Sequence, residues 1–260
     1  AAHRRVLRKA TASAQTLSQL ASGSQDLARR VAQAPGAVSA LLAAMAAGGD
    51  AAHYSAVALA RTSQADPGLT QRMAEVPGAL DALLTSVAGC GRAACNSAAM
   101  LRGVLEDYPG LARRMAEPPG ALPTLVTAVA TNAGGTAPNC AEALATIAMA
   151  DPGLAKRVAK AQGALQALVA AAAAGGNAAR EARRVLAAIR SWAEAAVAAA
   201  GAACLHCERS SDKASGVRLR VCEGCKTARF CNTECQRQAW GGHKAACRAV
   251  TAISGSGGAG

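Results

Sequence analysis

Seven cysteines and one histidine stand in four ordered pairs near the end of the chain: Cys204-x2-Cys207, Cys222-x2-Cys225, Cys231-x3-Cys235 and His243-x3-Cys247. A C-x2-C pair forms a tight knuckle that aims both sulfurs at one ion. Residues four apart on a helix share one face, one turn apart. Two knuckles are therefore expected first, then two helical pairs. Eight thiolate and imidazole ligands complete two tetrahedral zinc sites. Sites closed in this way leave no coordination position for a substrate, which points to a metal-built interaction module and away from an enzyme. The odd number of cysteines, and the histidine at the seventh ligand position, argue against a disulfide framework. Spacing leaves two divisions of the ligands open: interleaved, or sequential with the first four cysteines on one ion. His206, inside the first knuckle, is either a substitute ligand or a solvated loop residue.

The elements that must carry this module are helical and repeated. Pro35-Gly36-Ala37-Val38 returns as Pro77-Gly78-Ala79-Leu80, as Pro119-Gly120-Ala121-Leu122 and as Gln162-Gly163-Ala164-Leu165, in steps of 42, 42 and 43 residues. Leu27, Leu69, Leu111 and Leu154 keep the same steps, and each opens a short basic amphipathic segment that reads as a solvated face. A second register runs through Leu17, Leu59, Leu101, Leu144 and Leu186. Four residues before each leucine stands a small residue: Ser13, Ser55, Ser97, Cys140 and Ala182. The two registers share a helix face, and the small slot lets neighbouring repeats approach. Cys140 is thus expected to be a core spacer. A helical period near 42 residues means a solenoid whose units bury their apolar faces only by stacking.

Each unit reads as a short helix, a Pro-Gly kink, a second helix, a Gly-containing loop and a longer third helix. That resembles armadillo repeats, with two-helix HEAT repeats as the alternative. Armadillo arrays that clamp extended peptides carry an Asn ladder, which by resemblance falls two positions after the register leucine. Here those positions hold Gln19, Arg61, Gly103, Thr146 and Ala188, so the ladder is absent. The array serves either as a partner-binding concave face or as a spacer.

The pattern C-x2-C-x14-C-x2-C-x5-C-x3-C-x7-H-x3-C, with Thr227-Ala228-Arg229-Phe230-Cys231 and Cys235-Gln236-Arg237-Gln238-Ala239-Trp240, resembles a MYND-type zinc finger. The resemblance implies interleaved zinc ions, one on Cys204, Cys207, Cys231 and Cys235, the other on Cys222, Cys225, His243 and Cys247. It also implies recognition of short proline-rich peptides. Such a peptide would lie along a strand edge at Ala228, Arg229 and Phe230, with the Gln236 amide and the Trp240 ring in a shallow groove. Trp240 has a second reading, as a core residue over the second zinc, and Phe230 is expected in the core.

The expected fold is an all-α armadillo-like superhelical solenoid followed by a small two-zinc finger. Residues 1–200 would hold a repeat remnant and four repeats, 201–250 the finger and 251–260 a flexible tail. The start at Ala1 suggests a piece of something longer. The formal charge is +12, of which +5 falls in residues 201–250. Two zinc ions bound by seven thiolates remove three units, leaving the loaded finger near +2. No basic run is interleaved with aromatics, so nucleic acid is disfavoured as a partner and a protein is expected. No apolar run is long enough to span a bilayer. Free thiols at Cys90, Cys95 and Cys140 fit a reducing, intracellular compartment, cytoplasmic or nuclear. The function expected is a zinc-binding protein–protein interaction adaptor. The alternatives are a RING-like ubiquitin ligase, which the late histidine opposes, and a nucleic-acid-associated regulator.

Overall fold

The computed structural model describes residues 2–89, 91–131, 135–199, 203–207, 209 and 218–255. Cys90 and residues 256–260 lie outside the described residues. The chain opens with α1 (Ala2–Gly23) and continues in helix triplets: α2 (Gln25–Gln33), α3 (Ala37–Ala46) and α4 (Gly49–Ala65), then α5 (Leu69–Glu75), α6 (Ala79–Ala88) and α7 (Arg92–Asp107). Next come α8 (Leu111–Ala116), α9 (Ala121–Thr131) and α10 (Thr136–Ala150), and last α11 (Pro152–Lys160), α12 (Ala164–Ala174) and α13 (Gly176–Ala199). The metal-binding segment adds β1 (Arg220–Val221), β2 (Arg229–Phe230) and α14 (Thr233–Gly255).

The kink between the first and second helices of a triplet follows from turn chemistry. Gly36, Gly78 and Gly163 sit just before the second helix at φ of 74°, 77° and 73°, the left-handed region that a side chain resists. Asp66 and Asp151 start the helices upstream. Asp66 Oδ1 accepts the Gly68 N–H at 3.0 Å, and Asp151 Oδ1 accepts the Gly153 N–H at 2.5 Å.

Stacking then builds two layers. The long helices α1, α4, α7, α10 and α13 pack each on the next, and the second helices α3, α6, α9 and α12 do likewise. One apolar cluster runs without a break from Ala32 to Ile189. The register leucines lie in it, with Leu59, Leu101 and Leu144 fully buried. So do the small slots: Ser55, Ser97, Cys140 and Ala182 are each 0% exposed, where a larger side chain would have to push two helices apart. Ser97 Oγ is satisfied by Ser86 Oγ at 2.8 Å. Ser13, on α1, is exposed. Burial pushes the Cys140 thiol up to about 12, which makes it a packing residue and not a nucleophile.

The short first helices keep most of their basic side chains exposed, and two of their arginines also reach back to the preceding triplet. The Arg72 guanidinium donates to the Ala32 carbonyl at 3.3 Å and pairs with Asp66 at 2.8 Å. Arg157 likewise donates to the Ala116 carbonyl. Each arginine reaches the last turn of the preceding triplet's first helix, whose carbonyls have no intrahelical partner. Arg30, Arg72, Arg114 and Arg157 hold the same register, so this position was legible as a constant feature of the repeat. Residues 251–255, placed by expectation in a flexible tail, continue α14, which packs against α13 and touches α11 and α12. Thr251 Oγ1 donates to the Cys247 carbonyl at 2.8 Å within this helix. No described helix is long and apolar enough to cross a membrane.

Candidate metal centre

One hairpin and one helix build the ligand frame. β1 and β2 pair antiparallel, with Arg220 opposite Phe230 and Val221 opposite Arg229. The second knuckle grows out of β1. The Cys222 N–H donates to the Ala228 carbonyl at 2.8 Å, and the Lys226 N–H to the Cys222 carbonyl at 2.9 Å. Lys226 takes φ of 56°, which reverses the chain directly after Cys225. The first knuckle attaches to the other side of the hairpin: the Leu205 N–H donates to the Arg229 carbonyl at 2.9 Å, and the Cys231 N–H to Cys204 Sγ at 3.4 Å.

Asn232 Oδ1 accepts the Cys235 N–H at 2.8 Å and so caps the start of α14. Cys231 therefore ends the hairpin and precedes the helix. It does not lie one helical turn before Cys235, as the spacing suggested, because the Asn cap begins the helix after it. His243 and Cys247 do stand one turn apart inside α14.

These elements bring the eight ligands into two sets, Cys204/Cys207/Cys231/Cys235 and Cys222/Cys225/His243/Cys247, with all ligand atoms of a set within 4.8 Å of one another. The division is interleaved. Within the first set, Cys207 Sγ lies 3.4 Å from Cys231 Sγ and 3.9 Å from Cys235 Sγ. Within the second, Cys222 Sγ lies 3.7 Å from Cys247 Sγ, and His243 Nε2 lies 3.5 Å from Cys222 Sγ and 3.6 Å from Cys225 Sγ. A tetrahedron with zinc–sulfur bonds of about 2.3 Å has sulfur–sulfur edges of about 3.8 Å and sulfur–nitrogen edges of about 3.6 Å. Both sets fit zinc on spacing and on donor chemistry. His206 is exposed and outside both.

The electrostatics agree. Burial opposes ionisation of Cys204, but hydrogen bonds from the backbone N–H groups of Cys207, His206 and Cys231 outweigh it and bring the thiol down to about 6. The Cys207 sulfur, burial and the neighbouring Cys204 push Cys231 up to about 12. Four thiols packed this closely cannot all ionise by themselves; a divalent cation lets them do so together. Burial lowers the His243 pKa, which holds its imidazole neutral, as a metal ligand must be. Its ring is fixed edge-on by Phe230 at 5.5 Å and by Trp240 at 5.9 Å between centroids.

Gly224 belongs to the site as well. A Cβ there would lie 2.8 Å from Cys247 Sγ, so the second knuckle closes over its ion only with glycine at that position. The signal was a glycine directly before the second cysteine of the pair.

The residues expected to read a peptide separate. Phe230 and Ala228 are each 1% exposed and belong to the finger's core, so their side chains offer no surface. The Arg229 backbone faces away from β1, by the alternation of an antiparallel ladder, and its carbonyl already accepts from Leu205. The strand edge expected to receive a peptide is therefore occupied by the first knuckle. Gln236 and Trp240 remain at the surface, one turn apart on α14. Trp240 is 38% exposed, and the Gln236 amide lies 3.8 Å from Cys222 Sγ. Trp240 packs edge-on with His243 and keeps part of its surface open to solvent.

A stacked array of helix triplets followed by a segment with two zinc-type ligand sets defines a modular helical protein with a metal-built end. Residues 204–247 match the family model of the MYND finger, so the chain carries a MYND-type zinc finger. Two solved structures share the fold. One is an engineered protein from the Northeast Structural Genomics Consortium, 19% identical, with a TM-score of 0.57 over 95% of this chain and 90% of that one. The other is a designed armadillo repeat protein, 21% identical, with a TM-score of 0.57 over 92% of each chain. The solenoid is thus armadillo-like. No curated protein matches the chain.

Proposed function

We propose that this chain is a non-catalytic protein-interaction adaptor whose finger reads a short proline-rich peptide, with the armadillo-like array as its scaffold. The observation that supports this reading most is the surface pair on α14. An indole 38% exposed is an apolar face that packs on a zinc ligand, and one turn before it the half-buried Gln236 donates its amide to the Cys222 sulfur at 3.8 Å, leaving its carbonyl oxygen to orient a peptide. A proline-rich segment is already extended, so it loses little conformational entropy on docking against such a ring. All eight metal-type ligands are committed to closed sets, which leaves the metal a structural role.

The test is an NMR titration of the zinc-loaded chain with a proline-rich peptide, repeated with Gln236→Ala. Saturable shifts centred on Gln236 and Trp240 are expected, weakened in the variant while its zinc content stays the same. No shifts at saturating peptide, or shifts indifferent to Gln236→Ala, would sink the proposal.

A further inference from the structure

The docked helix α14 leaves a cleft of about 840 Å³ between itself and the corner joining α11 to α12. Lys160 stands on the solenoid wall, Lys244 and Arg248 on the finger wall, and no carboxylate among the described residues lines the cleft. All three cations are exposed, and none makes an ion pair with a described residue. Between the cations the lining is mostly small and apolar, with Ala161, Ala164, Leu165 and Ala245, and carries the neutral polar side chains of Gln162, Gln166 and Thr251. The second zinc site, with three thiolates on a divalent ion, adds one negative charge behind the finger wall and leaves the cations in the majority.

We infer that this cleft is a docking site for an acidic, extended segment of a partner protein, gripped from both sides by the last repeat and the finger. Three unpaired cations around a small-residue floor are complementary to carboxylates alternating with apolar side chains. No aromatic residue lines the cleft, so it lacks the stacking platform that single-stranded nucleic acid uses. This chain has no acidic run that would fill the cleft itself. Gln236 and Trp240 are not among the lining residues, so the site is separate from the surface proposed to read proline-rich peptides.

The experiment uses the full zinc-loaded chain and a fluorescein-labelled peptide of alternating Glu and Leu, read by anisotropy at physiological salt. Saturable binding is expected, weakening as salt rises. Reversing the finger wall with Lys244→Glu and Arg248→Glu should weaken binding about tenfold or more, and Lys160→Glu on the solenoid wall should weaken it in the same direction. Zinc content and far-ultraviolet circular dichroism, recorded for each variant, show that these exposed substitutions leave the fold intact. The inference is overturned by no saturable binding, by equal binding in both charge-reversed variants, or by tighter binding of a single-stranded oligonucleotide.

Discussion

One methyl group at position 224 would reach within 2.8 Å of a zinc-ligating sulfur, well inside van der Waals contact. Either the knuckle or Cys247 has to move, and both are held by the hairpin and by α14. Gly224→Ala is therefore expected to weaken zinc at the second site by about 10–100-fold, the range found when groups supporting metal ligands are changed. Competition with a chromophoric chelator checks this: one ion should leave early and one should stay. Equal release of both ions would show that the knuckle yields. The same scale explains Trp240. A ring that supports a metal ligand and also meets solvent is rigid before any partner arrives, which lowers the entropic cost of binding.

At the scale of elements, Arg72 and Arg157 each tie a first helix to the first helix of the preceding triplet. The Arg72 hydrogen bond holds the Asp66 carboxyl below the usual carboxylate range, partly opposed by burial and aided by the Gly68 N–H. The folded pKa lies below the unfolded one. The stabilisation is therefore complete above the unfolded value and is lost as pH falls through the folded value. The pair is partly exposed, so its contribution is about 1 kcal/mol or less. Asp66→Asn should lower the thermal midpoint near neutral pH and flatten its fall in acid. An unchanged acid limb would remove Asp66 from that account. Arg72 itself has a further role in covering the Ala32 carbonyl, which a neutral residue at position 66 leaves in place.

At the scale of the molecule, two cores meet along α14. The finger's cluster, built on Phe230, Ala228 and the ligand cysteines, is separate from the cluster that runs from Ala32 to Ile189. A core that small depends on its metal. Cys231→Ser is expected to empty the first site and unfold residues 204–247, while the array keeps its helicity. Circular dichroism with and without a chelator measures this. Loss of solenoid helicity in that variant would show that the array depends on the finger as its end cap. Because α14 carries Cys235, His243 and Cys247 and also packs on α13, zinc holds the finger's shape and its seat on the array together.

Local order was legible from residues alone. The steps of 42 and 43, the Pro-Gly corners and the leucine and small-residue registers place the helix triplets and their buried face. The corners and the four-residue spacing of small residue and leucine are written within a turn or two of chain, and their return at a fixed step shows in the sequence without any knowledge of contacts. The eight ligands were legible too, as four pairs. Which pairs share an ion was not. That depends on the hairpin, which carries Cys231 back to Cys204 across 27 residues. The occupied edge at Arg229, the role of Gly224, the second use of the register arginines and the docking of α14 on α13 also rest on contacts distant in sequence. Closing those distances is decided by packing and metal geometry acting together, and only the assembled chain expresses it.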